Sequence, residues 1–244
     1  MTSDQASTRT HILQCGERLI ATKGFVGVGL AEILAAAGVP KGSFYHYFSS
    51  KERFGEALLA SYLEGYLAHL EQMLAADGQP ARARLMRYWQ HWNVSQCGAD
   101  GPACDAGAGQ GSKCLVVKLS AEVADMSDTM RVALRDGTTQ IVARLARCLR
   151  EAVQDGSVPA ATDPEALALT LYEMWLGASL LAKLRRDDSS FAHALQATKA
   201  LLGGADAGPG AESESATPKA PRAQKSQGAS RAATGKGKAS RQPA

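Results

Sequence analysis

Five cysteines are the side chains in this 244-residue chain best suited to covalent chemistry: Cys15, Cys97, Cys104, Cys114 and Cys148. An odd number at irregular spacing argues against a disulfide framework. The spacing of Cys97, Cys104 and Cys114 matches no common zinc pattern, so a metal site built from these three thiols is a weak alternative. Cys114 is the distinctive one. It stands where the Gly-rich stretch CGADGPACDAGAGQGSK gives way to the apolar run LVVKL. Backbone N–H groups at a helix start lower a thiol pKa, as do Lys113 beside it and Lys118 one turn on. A thiolate stabilised in this way attacks electrophiles and oxidises readily. The competing reading is a small apolar residue that opens a buried helix. Cys97 and Cys104 are candidate resolving thiols. Cys15 and Cys148 have apolar neighbours and read as packing groups.

Three other residues belong with Cys114 as candidate sensor or ligand groups. Lys183 closes an almost uncharged stretch, Ala166 to Ala182, interrupted only by Glu173. Its ammonium either extends to water past the helix end or approaches Cys114 and stabilises the thiolate or an oxidised product. Glu173 is expected to be buried with a partner or to line a cavity. Trp92, like Trp89 and Trp175, is core or pocket wall. The small residues Gly177, Ala178 and Ser179 allow close helix approach and suggest a four-helix dimer interface with the last helix. An enzyme with Cys114 as nucleophile and His91 or His69 as base is disfavoured. No Gly-rich phosphate loop, triad spacing or metal motif accompanies these residues, and no cofactor is expected.

A second constellation is GVPKGSFYHYF, residues 38–48. Aromatics are 6% of the chain, yet four fall within five residues here. Helical spacing puts Phe44 and Phe48 on one face, directed at Leu30, Ile33 and Leu34. Lys41, Gly42, Ser43, Tyr45, His46 and Tyr47 are left on the other. A helix, a glycine turn and a short second helix form the helix-turn-helix pattern, whose second helix enters the DNA major groove. Gly42 and Ser43 permit close backbone approach. Lys41 and Ser43 are placed to reach base edges or phosphates; Tyr45, Tyr47 and Lys51 are placed to bind phosphate oxygens.

The elements that must carry these residues are helical throughout. The first is expected over Thr8 to Thr22, stopped by Gly24, and the second over Leu30 to Ala37. Pro40 opens the third as a plausible first helical residue. Ser49 or Ser50 caps a long helix from Lys51 to about Ala76. Further helices are expected at 80–96, 114–125 and about Asp128 to Gln154. Another runs from Asp163–Pro164 to Leu184, and Ser189 or Ser190 caps a last one ending at Leu202. No strand-like alternation persists. The expected architecture is all-α with about nine helices. Residues 1–52 form a helix-turn-helix DNA-binding domain and 53–202 a second helical domain.

The tail, 203–244, lacks Leu, Ile, Val and aromatic residues and is expected to be disordered. It is either an inert solubilising segment or a weak, salt-sensitive DNA arm. It carries a net charge of +4, against +3 for the whole chain, so residues 1–202 sum to −1. Any nucleic-acid contact in the folded part is therefore a local patch. No run of 18 uncharged apolar residues exists and the N-terminus is polar, so no membrane partner and a cytoplasmic location are expected.

The segment GVPKGSFYHYFSSKERF, with LAEILAAAGV before it, resembles the recognition-helix signature of the TetR family of bacterial repressors. The match is close over about residues 10–60. One departure is Val28-Gly29, where the family usually has threonine. Glycine caps a helix but supplies no hydroxyl, so a hydroxyl–phosphate contact is missing here. The resemblance implies that residues 53–202 receive a ligand and dimerise. It implies a homodimer on a near-palindromic operator in double-stranded DNA, released when an inducer spreads the two reading heads. KCLVVKLSAEVADMS and WLGASLLAKL are similar to a smaller branch that responds to N-ethylmaleimide and other electrophiles, with relatives responsive to acrylate-type compounds. That likeness singles out Cys114 again. It leaves two inducer readings open: a reactive electrophile or oxidant, or a reversibly bound small unsaturated acid or related metabolite.

Overall fold

The computed structural model describes residues 3–96 and 115–203. Cys97, Cys104, Cys114 and the tail therefore lie outside the described residues. Among those described there are nine helices and no strand. They are α1 (Ser3–Lys23), α2 (Leu30–Ala37), α3 (Lys41–Tyr47), α4 (Lys51–Leu74), α5 (Ala81–Gln96), α6 (Leu115–Ala124), α7 (Asp128–Gln154), α8 (Pro164–Arg185) and α9 (Ser189–Leu201).

Local chemistry explains most boundaries. Ser50 Oγ accepts from the Arg53 N–H at 3.1 Å and starts α4. Ser127 Oγ does the same for Met130 at the head of α7. Asp163 accepts from Glu165 and Ala166, with Pro164 leading α8. Each such cap contributes about 1 kcal/mol. Gly38 ends α2 at φ +63°, and the N–H groups of Gly38 and Val39 return to Ala35 and Leu34. That left-handed turn sets the angle of the helix-turn-helix. Three expectations shift. α1 begins at Ser3, five residues before Thr8, because the polar stretch there still continues the helical ladder. Pro40 precedes α3 as its N-cap rather than opening it. Neither Ser189 nor Ser190 caps α9; the N-cap is Asp188, and Asp187 accepts from the backbone and hydroxyl of Ser189.

The helices share one core. α1 packs on α2 and α4, α4 on α5 and α7, α6 on α7 and α8, α7 on α8, and α9 on α5 and α8. In the N-terminal head, the Phe44, Phe48 and Phe54 rings form a triangle with centroids 5.2–5.4 Å apart. In the body, Trp89 stacks on Trp175 at 5.2 Å, and Phe191 stacks on the other side of Trp175 at 6.1 Å. The Trp175 indole N–H donates to Thr198 Oγ1 at 2.9 Å, so its polar atom is satisfied in the dark.

α8 is long and apolar enough to cross a membrane, with a mean hydropathy of 1.2 over its most apolar window. That differs from the expectation drawn from uninterrupted runs. One face supplies Ala168, Leu171, Tyr172, Trp175 and Ala178 to the core. The opposite face keeps Leu169, Leu180, Leu181 and Leu184 exposed. Trp175→Ala is expected to destabilise the fold by about 3–5 kcal/mol, because it empties a site bounded by rings on both sides. Urea unfolding followed by circular dichroism measures this.

Candidate functional site

The reading face stands on α3. Phe44 and Phe48 are buried, while Lys41, Gly42, Tyr45 and His46 are exposed and Ser43 and Tyr47 half-buried. The ring cluster therefore holds one side of a seven-residue helix and turns the other outward. The Lys41 ammonium lies 5.8 Å from the centroid of the Tyr45 ring, a cation–π distance. The His46 and Tyr47 rings meet edge to face at 4.9 Å. Together they make a small basic-aromatic patch on the outward side of α3. α2 starts at Gly29 with no side-chain cap, so the missing hydroxyl is a feature of the fold here.

Lys51 departs from its expected place on that patch. Its ammonium donates to the Phe25 carbonyl at 2.7 Å and lies 4.6 Å from the Phe25 ring centroid. Burial pushes it below the ordinary lysine range, and the Glu122 carboxylate partly offsets this. The reason is packing. The turn between α1 and α2 leaves the Phe25 carbonyl without a helical partner, and the start of α4 passes beside it. Lys51 is thus a tie inside the subunit.

The sensor candidates separate. Cys114 lies outside the described residues, so its approach to Lys183 does too. Lys183 is exposed near the C-terminal end of α8. Glu173 is also exposed, on the outer face of α8, neither buried with a partner nor on a cavity wall. Helical phase decides this: Trp175 and Tyr172 take the inner positions. Trp92 is buried among Tyr88, Trp89, Tyr172 and Trp175, and its indole N–H donates to Ser179 Oγ at 3.0 Å. It is a packed core group. Ala178 and Ser179 are likewise buried within the subunit, so only Gly177 of that trio faces outward. An open groove does run between α4 and α7, past Leu63, Leu67 and Gly137 to Glu71, Arg144 and Arg147, but it includes none of the candidates.

Two residues escaped the sequence reading. The Tyr62 hydroxyl accepts from the backbone N–H of Leu115 at 3.3 Å, at the first residue of α6. Glu122 on α6 accepts from the backbone N–H groups of Phe25 and Val26. Both join segments far apart in the chain, and no motif marks them. His69 and His91 face each other, with ring centroids 5.2 Å apart. Burial first, and then the His69 ring, hold His91 below the ordinary imidazole range. Among the described residues no three His, Cys, Asp or Glu side chains gather as a metal cluster.

Cys15 and Cys148 are buried, as their apolar neighbours suggested. Burial pushes the Cys148 thiol up to about 11, with the Arg84 guanidinium opposing.

Residues 12–58 match the bacterial regulatory proteins of the tetR family, and residues 103–198 match the tetracyclin repressor-like C-terminal domain. The HTH-type transcriptional repressor NemR of Escherichia coli is 39% identical over 195 residues, 80% of this chain and 94% of that protein. The chain belongs to the TetR family. It is a DNA-binding transcriptional repressor of that family, not an enzyme. The transcriptional regulator AcuR of Cereibacter sphaeroides is 36% identical over 74% of this chain and 78% of its own length. The crystal structure of E. coli NemR in its reduced form superposes with a TM-score of 0.72 at 38% identity, covering 80% of this chain and 97% of that one. The repressor therefore sits in the branch that holds NemR and AcuR.

In native protein at pH 8, Cys15 and Cys148 are expected to resist a thiol-reactive chromophore and to react only after denaturation. For Cys148 the thiolate fraction at that pH is on the order of 0.1%. Counting reactive thiols with and without guanidinium tests this. On the DNA side, Tyr45→Ala is expected to weaken operator binding evenly across sequences. Lys41→Ala is expected to relax preference at one base pair by about 1–3 kcal/mol. Gel shifts against a set of altered operators separate the two.

Proposed function

We propose that this repressor is a homodimer released from its operator when an electrophile or oxidant reacts with Cys114. In this reading residues 1–52 read DNA and residues 53–202 sense and dimerise. The observation that carries the DNA side is the outward patch of Lys41, Tyr45 and His46, backed by buried rings in a family-matched helix-turn-helix. The dimer is supported by the outer face of α8. Leu169, Leu180, Leu181 and Leu184, with Leu201 on α9, are 40–70% exposed in the single subunit. Covering each would contribute roughly 1 kcal/mol. Helices from two subunits meeting along this face would form a four-helix interface and bring two reading heads to one duplex face.

The sensor side is supported by chemistry and kinship. Cys114 immediately precedes α6, and Lys113 stands beside it in sequence. Lys118, expected to help, turns its ammonium to the Thr22 carbonyl instead. A thiolate there adds to the activated double bond of N-ethylmaleimide: the new S–C bond forms, the C=C bond opens, and water protonates the adjacent carbon. The likeness of KCLVVKLSAEVADMS to the electrophile-responsive branch favours this route. A reversible inducer, such as a small unsaturated acid, is the competing reading, and the acrylate-responsive relatives of that branch keep it in the test.

The deciding experiment is gel-shift binding to the DNA upstream of its own coding sequence, with and without N-ethylmaleimide and a thiol reductant. The unmodified protein is expected to bind and to be released by the electrophile. Cys114→Ser is expected to bind equally and to stay bound. Release of the Cys114→Ser variant to the same extent would remove the covalent reading and favour the reversible one.

A further inference from the structure

The head and body are joined by a contact that the repressor reading does not itself require. The turn after α1 carries two successive backbone N–H groups, Phe25 and Val26, that no helix satisfies. Both donate to the carboxylate of Glu122 on α6, the first at 3.0 Å. One turn earlier on α6, the Lys118 ammonium donates to the Thr22 carbonyl at 3.1 Å. α6 therefore supplies an acceptor to the orphan donors and a donor to an orphan carbonyl at the end of α1. Gly24 makes room for this. Its φ is +81°, and a Cβ there would stand 2.8 Å from Glu122 Oε2.

The rest of the junction is built around the same turn. The Phe25 ring is buried beneath the Lys51 ammonium. Gly55 of α4 lies so close that a Cβ would meet the Phe25 ring and Met130 Sδ at 2.6 Å. A second tie runs from Ser127 Oγ, at the head of α7, to Glu52 Oε1 at 2.6 Å. The far end of α6 begins at Leu115, next in sequence to Cys114, where its N–H donates to Tyr62. A single ten-residue helix thus links the end of the Gly-rich segment to the backbone of the DNA-reading head.

We propose that Glu122 is a positioning residue that sets the orientation of the reading head on the body through its two bonds to Phe25 and Val26. The proposal deepens the repressor reading and rests on it. A carboxylate that accepts from two adjacent amides fixes direction as well as distance. Moving α6 along its axis must therefore drag the turn or break both bonds. With the bonds broken the head samples more orientations, and fewer of them match the operator.

The test uses full-length Glu122→Gln, which keeps the side-chain shape but loses the charge and one acceptor oxygen. Lys118→Met removes the other arm of the clamp and serves as a second variant should the first fold poorly. Three quantities are measured: amide hydrogen exchange at Phe25 and Val26, operator affinity, and the factor by which N-ethylmaleimide changes that affinity. Glu122→Gln is expected to keep the thermal midpoint, to speed exchange at both amides, and to bind operator about tenfold more weakly. The electrophile is expected to change its remaining affinity by a smaller factor than in the unmodified protein. Unchanged affinity despite faster exchange would overturn the proposal. So would an affinity loss that merely tracks a fall in thermal midpoint. Should the unmodified protein ignore N-ethylmaleimide, the thiol reading fails, while exchange and affinity of Glu122→Gln still decide the role of Glu122.

Discussion

A seven-residue helix is not stable by itself in water, since nucleation consumes most of what its few hydrogen bonds return. α3 exists because Phe44 and Phe48 are buried against Phe54 at ring distances of 5.2–5.4 Å. The outward patch depends on that anchoring. Lys41, Tyr45 and His46 have a defined direction only because the opposite side of the same short helix has no freedom. Phe54 belongs to α4, so the reading helix is fastened directly to the long helix that continues into the body. Gly16 on α1 leaves the space that the Phe54 ring fills; a Cβ there would sit 2.3 Å from Phe54 Cζ.

α4 thereby has two tasks. Its first turns complete the core of the head, and its later turns pack on α5 and α7. A stiff helix shared between two packed regions transmits rotation rather than absorbing it. The turn at Gly24–Val26 is the second mechanical element, held by both Lys51 and Glu122. A repressor needs this combination. The head must be steady enough for two copies to match operator spacing, yet linked to something that can shift. Polar contacts to backbone suit the second requirement, because they are directional and exchange readily with water.

The body shows how the apolar surface of one helix is divided between the core and the outside. α8 is apolar nearly all round, which for a lone surface helix would be a liability. Its inner side closes the Trp89–Trp175–Phe191 stack, and its outer leucines remain uncovered within one chain. An assignment of such a helix from hydropathy alone meets three solutions: membrane span, buried core helix, or core helix with an oligomer face. Kinship to the TetR repressors and the buried tryptophan side favour the last.

Helix positions were legible in the sequence because their causes are local. Apolar spacing at three and four residues, Ser50 and Asp163 as caps, and Gly24 and Gly38 as stops act within a turn of where they stand. The outward side of α3 was legible for the same reason: Phe44 and Phe48 lie four apart, so its direction follows from helix geometry alone. The motif then named the family. What only the tertiary structure decided are the destinations of long polar side chains. Lys51 turns to a carbonyl 26 residues away, Glu122 to amides 96 and 97 residues away, and Glu173 to solvent instead of a cavity. Trp92 and Ser179, 87 residues apart, close on each other and leave a packed core where a pocket wall was an open reading. A chain pattern records which face of a helix is apolar. It does not record which other helix arrives at that face, and a polar group is satisfied by whichever backbone the packing brings within reach.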